Sequence, residues 1–142
     1  MGELYDADVF EWSQQQAALL RRHAAGQNLN DRPDWDNIIE EIESVGRSEV
    51  RAIESWLFQA FVHDLKAEAW PLSRDVPHWR AEARGFRAQA RRNYRPSMRH
   101  HIAVAGLYRD ALQAMPDTMD GQPPLPVPTN CPITLDELLS EE

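Results

Sequence analysis

Apolar residues recur along the chain at helical spacing, and the first helix that they predict covers residues 8–25. Its apolar side chains are Val9, Phe10, Trp12, Ala17, Leu19, Leu20 and Ala24. Because these positions fall on one face of a helix with 3.6 residues per turn, they form a broad apolar stripe. The helix is predicted to end at Gly26-Gln27-Asn28, and residues 29–33 are predicted to form a loop that ends in proline.

A second and much longer helix is predicted to begin after Asp34, a favourable N-cap residue, and to end before Pro71. No proline interrupts this stretch, so the helical pattern continues for roughly 36 residues and about 54 Å. A compact domain of this chain length has a diameter of roughly 37 Å. We therefore expect the helix either to bend near Gly46 or to project and require a partner.

The two halves of the long helix differ in how their apolar residues are arranged. Before Val50 these residues lie within an arc of about 120°, and they are Ile38, Ile39, Ile42 and Val45. After Val50 the apolar arc widens to about 240°, with Ile53, Trp56, Leu57, Phe58, Ala60, Phe61, Val62 and Leu65. A helix that is apolar on nearly all sides must be covered by neighbours, so we predict that the second half forms the core.

Two more main helices are predicted after the break at residues 71–77. The third begins with Ser73 or Asp75 as its N-cap, and its apolar face carries Trp79, Ala83, Phe86, Ala90 and Tyr94. The fourth is predicted to run from Ser97 to about Met115. Its buried stripe is predicted to be Met98, Ile102, Ala105, Tyr108 and Leu112.

The last part of the chain combines an extended segment with a short helix. Prolines crowd residues 116–132, which predicts an extended segment that crosses the surface. Thr134 and Glu137 match a capping box, which predicts a short helix within residues 133–142. No segment shows convincing strand-like alternation. The predicted fold class is therefore all-α, with four main helices in a single domain covering residues 1–142.

Charge is distributed unevenly along the chain, whose formal net charge is −8. Residues 1–70 carry a net charge of −8, residues 71–115 carry +6, and residues 116–142 carry −6. A basic segment between two acidic ones predicts that the segments neutralise each other within one fold. Because the whole chain is acidic, binding to nucleic acid is not the favoured expectation.

The chain is expected to be a soluble protein of the cytoplasm, without a membrane partner. No stretch approaches the roughly 20 consecutive apolar residues that span a bilayer. The N-terminus has neither the basic start nor the apolar segment of a signal peptide. Cys131 is the only cysteine, so no disulfide can form within the chain and a reducing compartment is expected.

Four segments resemble one known protein family over nearly the whole chain. Residues 5–20, which include Phe-Glu-Trp-Ser-Gln-Gln-Gln, look like the opening of domain of unknown function family twenty-nine. Residues 38–49, which read Ile-Ile-Glu-Glu-Ile-Glu-Ser-Val-Gly-Arg-Ser-Glu, are similar to its central segment, and residues 51–55 and 131–139 fit as well. The resemblance implies a small bacterial all-α fold. It implies no activity, cofactor or catalytic residue, and the chain departs from the family pattern at residues 63–71.

The most prominent chemical feature is an arginine stripe on the third predicted helix, formed by Arg80, Arg84, Arg87 and Arg91. Intervals of four, three and four residues place these side chains within about 60° on one face. They could hold the phosphates of a ligand. They could instead pair with three carboxylates that point into the apolar arc of the second helix, where an unpaired carboxylate is costly: Asp64, Glu54 and Glu68. We expect the internal ion pairs and keep the external anion as the alternative.

Catalytic and metal-binding motifs are absent from the sequence. Glu40, Glu41, Glu43 and Glu49 cluster, but a di-metal helical bundle also needs Glu-x-x-His on two helices, and that motif does not occur. The chain likewise has no Gly-x-Ser-x-Gly, phosphate loop or glycine-rich fingerprint. We therefore expect no cofactor and no metal, and we do not favour an enzyme.

A helical interaction or oligomerisation module is the function that these patterns favour. The over-long helix and its one-sided first half leave apolar surface for a protein partner or for self-association. The candidate interface consists of Ile38, Ile39, Ile42 and Val45. The alternative is binding of a nucleic acid or another phosphorylated ligand through the arginine stripe, and the overall acidity of the chain makes nucleic acid the less favoured partner.

Overall fold

The structure is a computed structural model that describes residues 2–27 and 30–140, and it confirms the all-α fold class. Asn28, in the predicted end of the first helix, and Leu29, where the predicted loop begins, lie outside the described residues. The helices are α1 (Gly2–Ala7), α2 (Val9–Ala24), α3 (Trp35–Ala69), α4 (Val76–Asn93), a 3-10 helix (Pro96–His101), α5 (Val104–Gln113) and α6 (Leu135–Leu139). The described residues form no strand; Met119 and Gln122 make one isolated antiparallel bridge.

Two compact units divide the chain, an N-terminal unit, Met1–Arg47, and a C-terminal unit, Ser48–Glu142. The long helix α3 contributes residues to both. It spans 35 residues and remains helical through Gly46. The predicted helix between Asp34 and Pro71 is therefore confirmed, and it is continuous in its hydrogen bonding.

The N-terminal unit is organised around Asp34, which lies directly before α3. The carboxylate accepts hydrogen bonds from the side chain of Asn37 at 2.8 Å and from the indole N–H of Trp12 at 3.1 Å. The Asp34 backbone carbonyl accepts the N–H of Ile38 at 2.9 Å, the first hydrogen bond of the helix, which places Asp34 at the N-cap position. Gln16 accepts the backbone N–H of Asp34 at 2.7 Å. The predicted N-cap is confirmed, and it joins α2 to the start of α3.

Helix α1 was not among the predicted elements, because six residues are too few to show a helical period. Its Tyr5 ring lies edge-on to the Trp12 ring, with centroids 4.8 Å apart. The Tyr5 hydroxyl also donates to Glu41 on α3, which raises the pKa of Tyr5 to about 12. The short helix is therefore held by one aromatic contact and one charged hydrogen bond.

The C-terminal unit has its core along the second half of α3, as predicted. Ile53 and Leu57 are completely buried, and Phe61 and Leu65 continue the same face. Residues from the later helices and from the extended break at Ile102 cover this face: Ala90, Ile102, Tyr108, Ala111, Leu135 and Leu138. The Phe61 and Tyr108 rings meet edge to face at 5.3 Å. A smaller cluster of Ala67, Ala69, Trp70 and Trp79 lies near the end of α3.

The fourth predicted helix is interrupted, which corrects the prediction of one helix from residue 97 to 115. The chain forms a 3-10 helix to His101, becomes extended at Ile102 (φ −105°, ψ 109°) and begins α5 at Val104. The break allows Ile102 to be buried in the core. It also rotates the next helix, so that Ala111 is buried and Ala105 is exposed.

Three hydrogen bonds hold the proline-rich segment against the rest of the C-terminal unit. Leu125 donates its backbone N–H to the carbonyl of Ala69 at the end of α3, the Trp70 indole donates to the carbonyl of Gln122, and the Tyr108 hydroxyl donates to the carbonyl of Pro128. The predicted capping box is confirmed, because Thr134 accepts the Glu137 backbone N–H and Glu137 accepts that of Thr134.

Candidate functional site

The charged contact between α3 and α4 centres on Asp64. One carboxylate oxygen accepts a hydrogen bond from Arg80 at 2.9 Å, and the other accepts one from Arg87 at 2.6 Å. Only 26% of the Asp64 side chain and 14% of the Arg87 side chain are exposed. Two guanidinium groups about two turns apart on α4 therefore hold one carboxylate that α3 presents beside its apolar face.

The other members of the arginine stripe and its predicted acids lie elsewhere. Arg91 donates to the carbonyl of Ser140 at 3.3 Å. Arg84 and Glu68 are exposed and Glu54 is half-buried, and none of these three forms an ion pair within residues 2–27 and 30–140. Glu54 lies ten residues before Asp64, about 15 Å along the helix. The structure brings together Asp64, Arg80 and Arg87 and leaves Glu54 and Glu68 outside that cluster.

Glu82 on α4 is a charged residue that the sequence analysis did not single out. Its two carboxylate oxygens contact Nε2 of His63 at 2.6 Å and Nε2 of His78 at 2.9 Å. His63 is mostly buried, and its Nδ1 lies 2.7 Å from the carbonyl of Gln59. The four-residue interval between His78 and Glu82 signals the exposed half of this arrangement. No sequence interval signals the His63 contact, because it joins two helices.

An apolar row runs along the part of α3 that belongs to the N-terminal unit. It consists of Trp35, Ile39, Ile42 and Val45, whose side chains are between 45% and 68% exposed. Ile38, which was included in the candidate interface, is only 9% exposed. Ile38 is buried although it lies within the same arc of about 120° as Ile39, Ile42 and Val45, so the helical period alone does not separate it from the exposed residues. Compared with the candidate interface predicted from the sequence, the exposed row therefore includes Trp35 and excludes Ile38.

Acidic residues border the apolar row on both sides. Asp36 lies three residues before Ile39, and Glu43 lies four residues after it. Glu41 lies four residues before Val45. At these intervals each carboxylate neighbours the row on the helix surface. Arg47 is the basic residue of this stretch, and it contacts Glu40 and Glu43. Four carboxylates against one guanidinium leave the surroundings of the row negative.

A mainly apolar cleft of about 520 Å³ opens in the C-terminal unit, between the end of α3 and the proline-rich segment. Trp70, Leu72 and Leu125 line it, together with Ala69, Pro71, Ser73, Met119, Asp120, Gln122 and Pro123. Leu72 is 98% exposed. Asp120 and Gly121, at φ 52° and 76°, form the tight turn between the bridged residues Met119 and Gln122.

The described part of the chain offers little else to a ligand. Residues 2–27 and 30–140 contain no group of three or more His, Cys, Asp or Glu side chains that could hold a metal ion. The Cys131 thiol donates to the carbonyl of Ile133 at 3.2 Å. Among the same residues, no helix combines the length and the apolarity needed to cross a membrane.

The fold and these surfaces define a small all-α protein with a cluster of ion pairs between α3 and α4 and an exposed apolar row on α3. The chain belongs to the family described as domain of unknown function DUF29, whose pattern matches residues 4–142. The family resemblance noted in the sequence is thereby confirmed. No curated protein matches the chain.

One solved structure is similar over nearly the whole chain. It is an alpha-helical protein of unknown function from Rhodospirillum rubrum, with 28% sequence identity and a TM-score of 0.66. The match covers 97% of this chain and 90% of that one. It supports the helical architecture over the matched length, and its description names no ligand or partner.

Proposed function

We propose that this protein is a helical interaction module that binds another protein through the apolar row of α3. The observation that carries the proposal is the row itself: four large apolar side chains, all close to half exposed or more, within three turns of one helix. Scattered exposed apolar residues are normal on a protein surface, but a contiguous patch of them is typical of an interaction site.

The size of the row sets the kind of interaction that it supports. Fully burying one large apolar side chain contributes about 1.5–3 kcal/mol. Covering four that are roughly half exposed would therefore contribute on the order of 5 kcal/mol. Association costs roughly 4–15 kcal/mol in lost freedom of motion. The row alone is too small for a tight complex, so the partner must add apolar and charged contacts of its own.

Anion binding by the arginine stripe is the second function that the sequence favours, and the charged contacts argue against it. Asp64 holds Arg80 and Arg87, so part of the positive charge of the stripe is already neutralised. Arg91 is engaged by the carbonyl of Ser140. The remaining Arg84 is a weak anion site, because phosphate recognition by arginine relies on several converging donors. We therefore propose a protein partner rather than a nucleic acid.

The experiment compares wild type with Ile42→Ser and with Leu72→Ser, the same kind of apolar-to-polar change at an exposed leucine that borders the cleft and lies outside the row. Light scattering over a concentration series measures self-association. Quantitative affinity purification from the native cell measures binding to other proteins. We expect wild type either to self-associate or to enrich one partner protein. Ile42→Ser should abolish that interaction, and Leu72→Ser should retain it. Identical behaviour of wild type and Ile42→Ser in both measurements would show that the proposal is wrong.

A further inference from the structure

We infer that the apolar row accepts an amphipathic helix of a partner protein whose apolar stripe is flanked by lysine or arginine. This inference rests on the proposed function and adds the conformation and the charge of the partner. The row and the charges around it within the N-terminal unit supply two independent arguments.

The first argument concerns the conformation of the partner. The row presents side chains at positions 35, 39, 42 and 45 of one helix, an array about 15 Å long. From Ile38 onwards the backbone donors and acceptors behind the row are used in the helical hydrogen bonds of α3. The row therefore offers no hydrogen bonds to an extended strand, whereas a helix satisfies its own backbone and can pack its ridges between these side chains.

Gly46 strengthens the case for a helix. It follows Ile42 by one turn, and a Cβ atom placed on it would meet no atom within 4 Å. The bare backbone leaves a shallow depression beside the exposed Ile42 side chain, where a large apolar side chain of an approaching helix can lie. The same surface lets the two helix axes approach closely.

The second argument concerns charge. Asp36, Glu41 and Glu43 border the row, and Arg47 already contacts Glu40 and Glu43. Residues 1–47 carry ten acidic and four basic side chains, a net charge of −6. A second copy of this chain would bring two acidic borders together, which costs binding energy. A partner with basic borders gains from the same charges, so we place a basic helix here rather than a second copy.

Three synthetic peptides of about 20 residues test this inference on the full-length protein. The first has leucines at helical a and d spacing with lysine elsewhere. The second keeps the leucines and carries glutamate in place of lysine. The third is a scrambled version of the first, with the same composition and no apolar stripe. Binding is measured by fluorescence anisotropy at two salt concentrations, for wild type, Ile39→Ser, Ile42→Ser and Leu72→Ser, each checked by circular dichroism and melting temperature.

We expect the lysine peptide to bind wild type and Leu72→Ser equally, and Ile39→Ser and Ile42→Ser at least about tenfold more weakly. Its affinity should fall as salt is raised, and the glutamate peptide should bind at least about tenfold more weakly than the lysine peptide. Replacing Asp36 by Asn and Glu43 by Gln together should weaken the lysine peptide and reduce its dependence on salt.

Four outcomes would overturn the inference. Equal binding of the scrambled peptide would reduce the interaction to nonspecific charge attraction. If the glutamate peptide binds as tightly as the lysine peptide, and Ile42→Ser weakens its binding, the partner need not be basic. The proposed function would then still hold. A dimer of wild type that Ile42→Ser dissociates, with no peptide bound, would place a second copy on the row. If no peptide binds and association is unchanged in Ile42→Ser, the inference and the proposed function fail together.

Discussion

The carboxylate of Asp64 on α3 accepts a hydrogen bond from the guanidinium group of Arg87 on α4 at 2.6 Å, and both side chains are mostly withdrawn from water. Arg80 binds the other oxygen of the same carboxylate from nearly two turns earlier. A carboxylate beside the apolar face of a helix costs free energy unless it is paired. The pairing therefore removes a penalty and also fixes how α4 lies along α3.

Removing the Asp64 carboxylate should destabilise the C-terminal unit. Exposed ion pairs contribute about 0–1 kcal/mol, and breaking fully buried ones costs about 3–5 kcal/mol. Asp64 is one-quarter exposed, so we expect Asp64→Ala to lower the free energy of unfolding by about 2 kcal/mol. Urea denaturation measures this value.

Glu68→Ala is the matched control for Asp64→Ala. Glu68 lies one turn further along α3, is exposed, and forms no ion pair with any described residue. Its removal should change the free energy of unfolding by less than about 0.5 kcal/mol. Equal losses in the two variants would mean that the ion pairs around Asp64 contribute no more than a surface charge does.

The arginine stripe should divide into structural and surface members. Arg87→Ala removes a largely buried donor to Asp64, and we expect a loss of about 1–2 kcal/mol. Arg84→Ala, in the same helix and three residues earlier, removes an exposed side chain and should cost less than about 0.5 kcal/mol. Thermal and urea unfolding compare the pair. A stripe that serves mainly as an anion site would instead show similar stability for both variants and weaker phosphate binding in both.

Glu82 should contribute to stability chiefly through His63. Its contact with mostly buried His63 lies between α3 and α4, while its contact with exposed His78 lies within one helix. We expect Glu82→Gln to cost about 1 kcal/mol and His78→Ala to cost about 0.3–0.5 kcal/mol, the value typical of exposed i,i+4 pairs. A double-mutant cycle between His63→Gln and Glu82→Gln isolates the inter-helix contribution. A coupling energy near zero would contradict this assignment.

The sequence predicts those features of this fold that depend on local signals. Asp34 and Pro71 mark the two ends of α3, because capping and the absence of a proline N–H act on neighbouring residues. Thr134 and Glu137 predict α6 in the same way. The wide apolar arc after Val50 predicts the core, because a helix that is apolar on nearly all sides must be covered by other elements.

Contacts between elements are less accessible from the sequence. Asp64, Glu54 and Glu68 all fall within the apolar arc predicted for the long helix, yet of the three only Asp64 contacts Arg80 and Arg87. The sequence does not specify how far α4 slides along α3 or how it rotates. The same limit explains the missed His63–Glu82 contact. The break at Ile102 was missed because the burial of one side chain in the tertiary core outweighs a continuous helical pattern.

The cap at Asp34 predicts how the stability of the protein changes in acid. Hydrogen bonds from the side chain of Asn37 and from the indole of Trp12 lower the pKa of Asp34 below its ordinary value of 3.8. A carboxylate with a depressed folded-state pKa stabilises the fold above the unfolded-state value, and this contribution is lost as the pH falls through the folded-state value. The wild type should therefore melt at a higher temperature than Asp34→Asn at about pH 6, and the difference should shrink towards about pH 3. Asparagine keeps an N-cap acceptor, so the comparison isolates the charge. Trp12→Phe removes one donor to the carboxylate and should weaken the pH dependence of the melting temperature. If the difference in melting temperature between wild type and Asp34→Asn stays constant from about pH 6 to about pH 3, the charge at this cap does not stabilise the fold.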